Sequence, residues 1–107
     1  MTPAFKKIKN AILGKPYDLS VAFLSAAQMR RAMKYKKKPA RKVSNVLAFP
    51  LSRVSGEILI CKAAAKPYSV GYLFIHGCLH LKGLKHSATM ENVEHRYLKR
   101  FGLSVHE

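Results

Sequence analysis

The sequence predicts an α+β fold, a small mixed β-sheet packed against helices, with a central helix that carries two of three clustered histidines. Three observations predict it. Segments of period-two alternation lie among segments of helical period, in the order helix, strand, helix, strand, strand, helix, helix. One helical segment, Pro67 to Lys82, is apolar nearly all round, and a helix of that kind belongs at the centre of a fold. The chain has 107 residues, nearly half of them apolar, which suits a single domain over residues 1–107 with one modest core.

Residues 1–15 mix basic and apolar side chains, with Phe5, Ile8, Ile12 and Leu13 on one side. No cleavage-type pattern of small residues occurs there, so a short amphipathic helix is the reading over a transit peptide. Asp18 to Leu24 alternates through Leu19, Val21 and Phe23 and reads as a strand. Ser25-Ala26-Ala27-Gln28 is a capping box that starts a helix at once. Met29 and Met33 supply its apolar stripe, and Pro39 stops it. Asn45 to Phe49 is a second strand, ended by Pro50. About five residues of turn lead to a third strand, Glu57 to Lys62, which closes a hairpin. Pro67 to Lys82 is the central helix, rich in Tyr68, Val70, Tyr72, Leu73, Phe74, Ile75, Leu79 and Leu81. Ser87 or Thr89 caps the last helix, with Met90, Val93, Tyr97, Leu98 and Phe101 on its inner face. There is no internal repeat, and no apolar run approaches the roughly 18 residues that cross a membrane.

The formal net charge is +15, from 20 Lys and Arg against 5 Asp and Glu. Solubility needs nothing like this, and such a charge implies a polyanionic partner. The cations also cluster. Arg30, Arg31, Lys34, Lys36, Lys37, Lys38, Arg41 and Lys42 fall in one run without an acid, and no acid lies between Glu57 and Glu91. Cations this dense repel one another unless something anionic joins them, which points to nucleic acid. A membrane surface would also attract them, but the run lacks an apolar face to insert.

Three histidines carry the chemistry. His76 and His80 are four apart, so a helix stacks them on one face, where both reach one ion. Gly83 can take the left-handed conformation that ends the helix, and His86 then closes on the same ion. Three imidazoles leave one position of a tetrahedral zinc open, the catalytic arrangement; other first-row divalent ions suit the same ligands. The spacing is that of the metzincin proteases, but their general-base glutamate is Gly77 here, which argues against peptide hydrolysis. Cys78 is two residues from both helical histidines, so a helix aims it away from them. Cys78 and Cys61 read as small apolar fillers in a reducing cytoplasm. His95 and His106 read as surface residues. Gly77 reads as a site of close packing, with room beside the metal as the second reading.

The run from His76 to His86 resembles the H-G-x-L-H-L-x-G-[YF]-D-H motif of the YbeY family of bacterial metal-dependent endoribonucleases. His76, Gly77, Leu79, His80, Leu81, Gly83 and His86 match; Leu84 and Lys85 replace the aromatic and the aspartate. Ser44-Asn45-Val46-Leu47-Ala48-Phe49-Pro50 is similar to the family's T-[DN]-V-L-S-F-P, and Gly56-Glu57-Ile58 to its G-D-I. Met90, Glu94, Leu98 and Gly102 follow its closing helix. The resemblance spans about residues 17–103. The family's first strand has no counterpart before Asp18, and the stretch from Cys61 to Pro67 is too short for the helix usual there.

The resemblance implies a zinc-dependent endoribonuclease specific for single-stranded RNA, working in the cytoplasm on ribosomal RNA maturation and ribosome quality control. Its partner would be the small ribosomal subunit, with no cofactor beyond one metal ion. It also implies a phosphate-gripping cation before the Ser44–Pro50 motif, and counting back places it at Lys38. The rival reading is a non-catalytic RNA-binding assembly factor with a structural or vestigial metal, motivated by Lys85, Lys38 and the shortened pattern.

Overall fold

The computed structural model describes residues 1–37 and 42–107. It contains α1 (Pro3–Leu13), β1 (Asp18–Phe23), α2 (Ala26–Tyr35), β2 (Val46–Ser52), β3 (Ser55–Ile60), α3 (Val70–Lys82) and α4 (Ala88–Phe101). The fold is α+β, with the element order that the patterning predicts. The three strands form one mixed sheet in the order β1-β3-β2. β3 runs parallel to β1, with Leu19 opposite Gly56 and Phe23 opposite Ile60. It runs antiparallel to β2, with Leu47 opposite Leu59.

Period-two alternation divides the strand side chains between two apolar clusters. Leu19, Ile58 and Ile60 pack with Leu73, Phe74, Ile75, Cys78 and Leu79 of α3 and with Met90 and Leu98 of α4. Leu47, Leu59 and Cys61 pack on the other face against Met29 and Met33 of α2. The sheet therefore lies between α2 on one side and α3 with its flanking helices on the other. Every side chain of β3 from Ile58 to Ile60 is buried, as a central strand requires.

Several boundaries depart from the sequence expectation. α2 ends at Tyr35, short of Pro39, where the Lys36 N–H turns back to the Met33 carbonyl and Lys37 takes a positive φ of 52°. Consecutive cations with no acid to offset them disfavour a further turn. β2 runs through Pro50 to Ser52. It is an edge strand, so the missing N–H of Pro50 removes no ladder bond. β3 then starts at Ser55, and the turn is shorter than five residues because the Ser52 hydroxyl accepts the Val54 N–H at 3.1 Å. α3 starts at Val70 and not at Pro67, because the Ser69 hydroxyl accepts the Tyr72 N–H at 3.0 Å and so caps it there. A single 3₁₀ turn, Lys62–Ala64, occupies the short stretch after β3.

α1 is held at both ends. Phe5 stacks on Phe74 of α3 with ring centroids 4.0 Å apart. Beyond the C-terminal turn, the Lys9 ammonium donates to the carbonyls of Tyr17 at 2.9 Å, Lys15 at 3.0 Å and Gly14 at 3.4 Å. Lys82 of α3 donates to the Ile12 carbonyl at 3.0 Å. Lys9 is 7 % exposed, and the three carbonyls explain how its charge is tolerated there. Lys9→Met keeps the stem but strands those oxygens. It is expected to lower unfolding free energy by about 1–3 kcal/mol in urea titration; unchanged stability would mean water replaces the ammonium freely.

Candidate metal centre

His76 and His80 lie one turn apart on α3, and Gly83 ends that helix with φ 106° and ψ 6°. The Gly83 N–H bonds the His80 carbonyl, and the Leu84 N–H bonds the Leu79 carbonyl at 3.0 Å. This pair of bonds is a Schellman turn, and it needs a residue that tolerates positive φ. It returns the chain so that His86 meets the helical pair. Ring centroids are 4.5 Å apart for His76 and His80, 4.9 Å for His76 and His86, and 4.7 Å for His80 and His86. One ligand atom from each lies within 4.8 Å of the others. The expected three-histidine cluster is present.

Partners at the Nδ1 positions orient two of the rings. Nδ1 of His76 bonds the Glu94 carboxylate of α4. Nδ1 of His80 lies 3.1 Å from the Leu84 carbonyl, which can only accept. With Nδ1–H donated in both rings, both Nε2 lone pairs face inward, and the two Nε2 atoms are 3.0 Å apart. Two facing lone pairs repel unless a proton or a cation lies between them. The buried Glu94 carboxylate adds a negative charge that also wants a cation. The donor set fits a divalent first-row ion on these grounds.

Burial first, then the neighbouring His76 and His86, hold the His80 imidazole below its ordinary pKa. Its neutral, ligating form therefore persists to lower pH than a free imidazole allows. Burial, aided by the Glu94 carboxylate, pushes the Tyr72 hydroxyl up to about 12, so it stays protonated in neutral solution. Burial pushes the Cys78 thiol up to about 12 as well. Cys78 and Cys61 are both free and fully buried, and neither joins the histidines. His95 and His106 are exposed, as expected.

Gly77 sits between the two helical histidines. A Cβ there would meet three atoms of the Ile58 side chain on β3 at 3.1, 3.2 and 3.3 Å. The packing reading of Gly77 is supported, and Gly77 also lines the cleft in front of the histidines. That cleft, about 540 Å³, is bounded by Ser44, Asn45, Val46, Leu47, Ala48, Pro50 and Lys36 opposite His76, His80 and His86. So the Ser44–Pro50 motif and the histidine motif, remote in sequence, face one another. The Cys61 N–H bonds the Asn45 carbonyl, and antiparallel alternation from that bond turns the N–H groups of Val46 and Ala48 outward.

Of the basic run, Arg30, Arg31, Lys34, Lys37 and Lys42 are exposed, while Lys36 is partly buried in the cleft wall. Its ammonium lies 4.7 Å from the centroid of the Phe49 ring. Lys38 and Arg41 fall outside the described residues. The sequence places Glu94 on the closing helix and gives it no role, whereas the structure sets it against His76. Its signal was an acid spaced four residues from both Met90 and Leu98, on the otherwise apolar face of α4.

The family model for endoribonuclease YbeY matches residues 2–102. The chain belongs to the YbeY family. No curated protein and no solved structure matches it. YbeY membership supports an endoribonuclease role in ribosomal RNA processing, and the three histidines are compatible with the metal on which the family depends. Among the described residues, no helix is long and apolar enough to cross a membrane.

Glu94→Gln keeps the size of the side chain and removes the charge that holds His76. Metal affinity is expected to fall about 10- to 100-fold, by competition with a chromophoric chelator. An affinity equal to that of the wild type would show that the contact does not orient the ligand.

Proposed function

We propose that this protein is a zinc-dependent endoribonuclease that cleaves single-stranded RNA during ribosomal RNA maturation and ribosome quality control. The observation that carries the reading is the convergence of His76, His80 and His86 in an open cleft whose wall includes Lys36. The small ribosomal subunit is the proposed partner and the cytoplasm the proposed setting. Two buried free thiols suit a reducing compartment.

His76, His80 and His86 would hold the ion, and Glu94 would keep His76 in its ligating tautomer. When bound, such an ion supplies Lewis acidity toward a phosphoryl oxygen and toward water. The outward N–H groups of β2 would face a phosphodiester in the cleft, and Lys36 forms part of the same wall. Glu94 is already committed to His76, so it is a poor proton acceptor. Among the described residues, no carboxylate lines the cleft. That absence, with Lys85 beside His86, favours the rival reading of a non-catalytic RNA-binding assembly factor.

One experiment separates the two. Purified protein reconstituted with zinc is expected to bind about one ion per chain and to cut single-stranded RNA. Chelator or His80→Ala should abolish cutting while RNA binding persists. Tight RNA binding with no metal-dependent cleavage would leave the assembly factor, and turnover of casein would restore the protease. If about five phosphates are neutralised, log affinity should fall with log salt at a slope of roughly −3.5. A slope near zero would remove the basis for an RNA partner.

The phosphate grip is proposed at Lys38, and Lys38→Ala should lower single-turnover cleavage at saturating RNA by about 10²-fold. Lys34→Ala should only weaken binding by a few-fold. If Lys36→Ala takes the large loss instead, the grip lies at the cleft-wall lysine and the motif register is off by two residues.

A further inference from the structure

Tyr35 is 84 % exposed, more than Leu51 at 68 %, Val54 at 63 %, Met1 at 57 % or Phe23 at 48 %, the other exposed large apolar side chains among the described residues. It is the last residue of α2, and the Lys36 N–H that follows it turns back to the Met33 carbonyl. Its surroundings are cationic: Arg31 lies one turn earlier on the same helical face, Lys34 precedes it, and Lys36 and Lys37 follow. Lys36, the next residue, lines the histidine cleft. An aromatic ring exposed to water, flanked by cations and one residue in sequence from that cleft, has the composition of a single-strand platform. The cations meet phosphates, and the ring meets the face of a base. Insertion into a lipid surface would need further apolar anchors, and α2 exposes no other large one.

We propose that Tyr35 stacks on an unpaired base of the nucleic acid strand that enters the histidine cleft. Arg31, Lys34 and Lys36 grip the flanking phosphates. In a duplex both faces of a base are covered by its neighbours, so the ring selects single strands without reading their sequence. The proposal rests on the nucleic-acid reading of the cleft.

The test is binding to three labelled probes of equal charge, in chelator so that nothing is cut. They are a short single-stranded RNA, a strand of the same length made wholly of abasic nucleotides, and a blunt duplex. For the wild type the base-bearing single strand should bind tightest. Tyr35→Ala should weaken that probe by about tenfold and leave the abasic strand unchanged. Tyr35→Phe should restore wild-type binding, since the ring and not the hydroxyl stacks. The chain has no tryptophan, so Tyr35→Trp introduces a single reporter. Its emission should be quenched by the base-bearing strand and not by the abasic one. Equal weakening of the base-bearing and abasic strands by Tyr35→Ala, or no weakening of either, would overturn the stacking role while leaving the cationic cleft in place. A wild type that binds none of the probes would overturn the nucleic-acid reading itself.

Discussion

The contact of α3 with β3 at Gly77 decides where everything else in this protein sits. The helix lies so close to the central strand that a Cβ at position 77 would press on the Ile58 side chain at 3.1–3.3 Å. A glycine in mid-helix costs about 1 kcal/mol relative to alanine, and the close contact is what it permits. Helix and strand at this separation put His76 and His80 opposite the edge of β2 and form the cleft between them. A longer side chain at Gly77 would push His76 and His80 away from that wall and press on the core together. Stability and site geometry are thus coupled through one position.

The second organising constraint is the scarcity of acids. There are five in the chain, and Glu94 is buried against His76. The surface field is therefore almost wholly cationic, and the one strongly enclosed anion acts on the histidines. The division has a plain physical logic. A carboxylate free in the cleft would repel a polyanion, whereas one behind His76 sharpens the ligand and hides its own charge.

Much of this was legible in the sequence, for identifiable reasons. The order of elements followed from two periodicities, because α3 is too apolar to lie anywhere but the centre and β1 alternates cleanly. The histidines were legible because their four-residue spacing and Gly83 are local instructions. What failed was local competition. Ser69 out-competes Pro67 as the start of α3 because a hydroxyl acceptor satisfies an N–H. Pro50 stays in a strand because β2 is an edge, and edge status depends on strand order, which no local pattern encodes. Glu94 was visible only as an acid on an apolar stripe, since its partner lies on another helix. The pairing of the Ser44–Pro50 segment with the histidines is likewise tertiary, and it gives physical sense to two motifs that sequence alone could only juxtapose.

β1 pairs with β3 on one side only, so among the described residues its outer row of backbone donors and acceptors is unpaired. An open edge of this kind is a template for a second chain. Here the safeguard is the charge: two molecules each carrying +15 repel before their edges can meet. That protection is only as long as the screening length, about 10 Å at 0.1 M salt and about 3 Å at 1 M. The colloidal behaviour of the protein is therefore tied to the field that draws its partner. Salt that releases a polyanion also lowers the barrier between copies, while a bound polyanion neutralises the same charge. The concentration at which copies begin to associate should be governed by ionic strength more than by temperature.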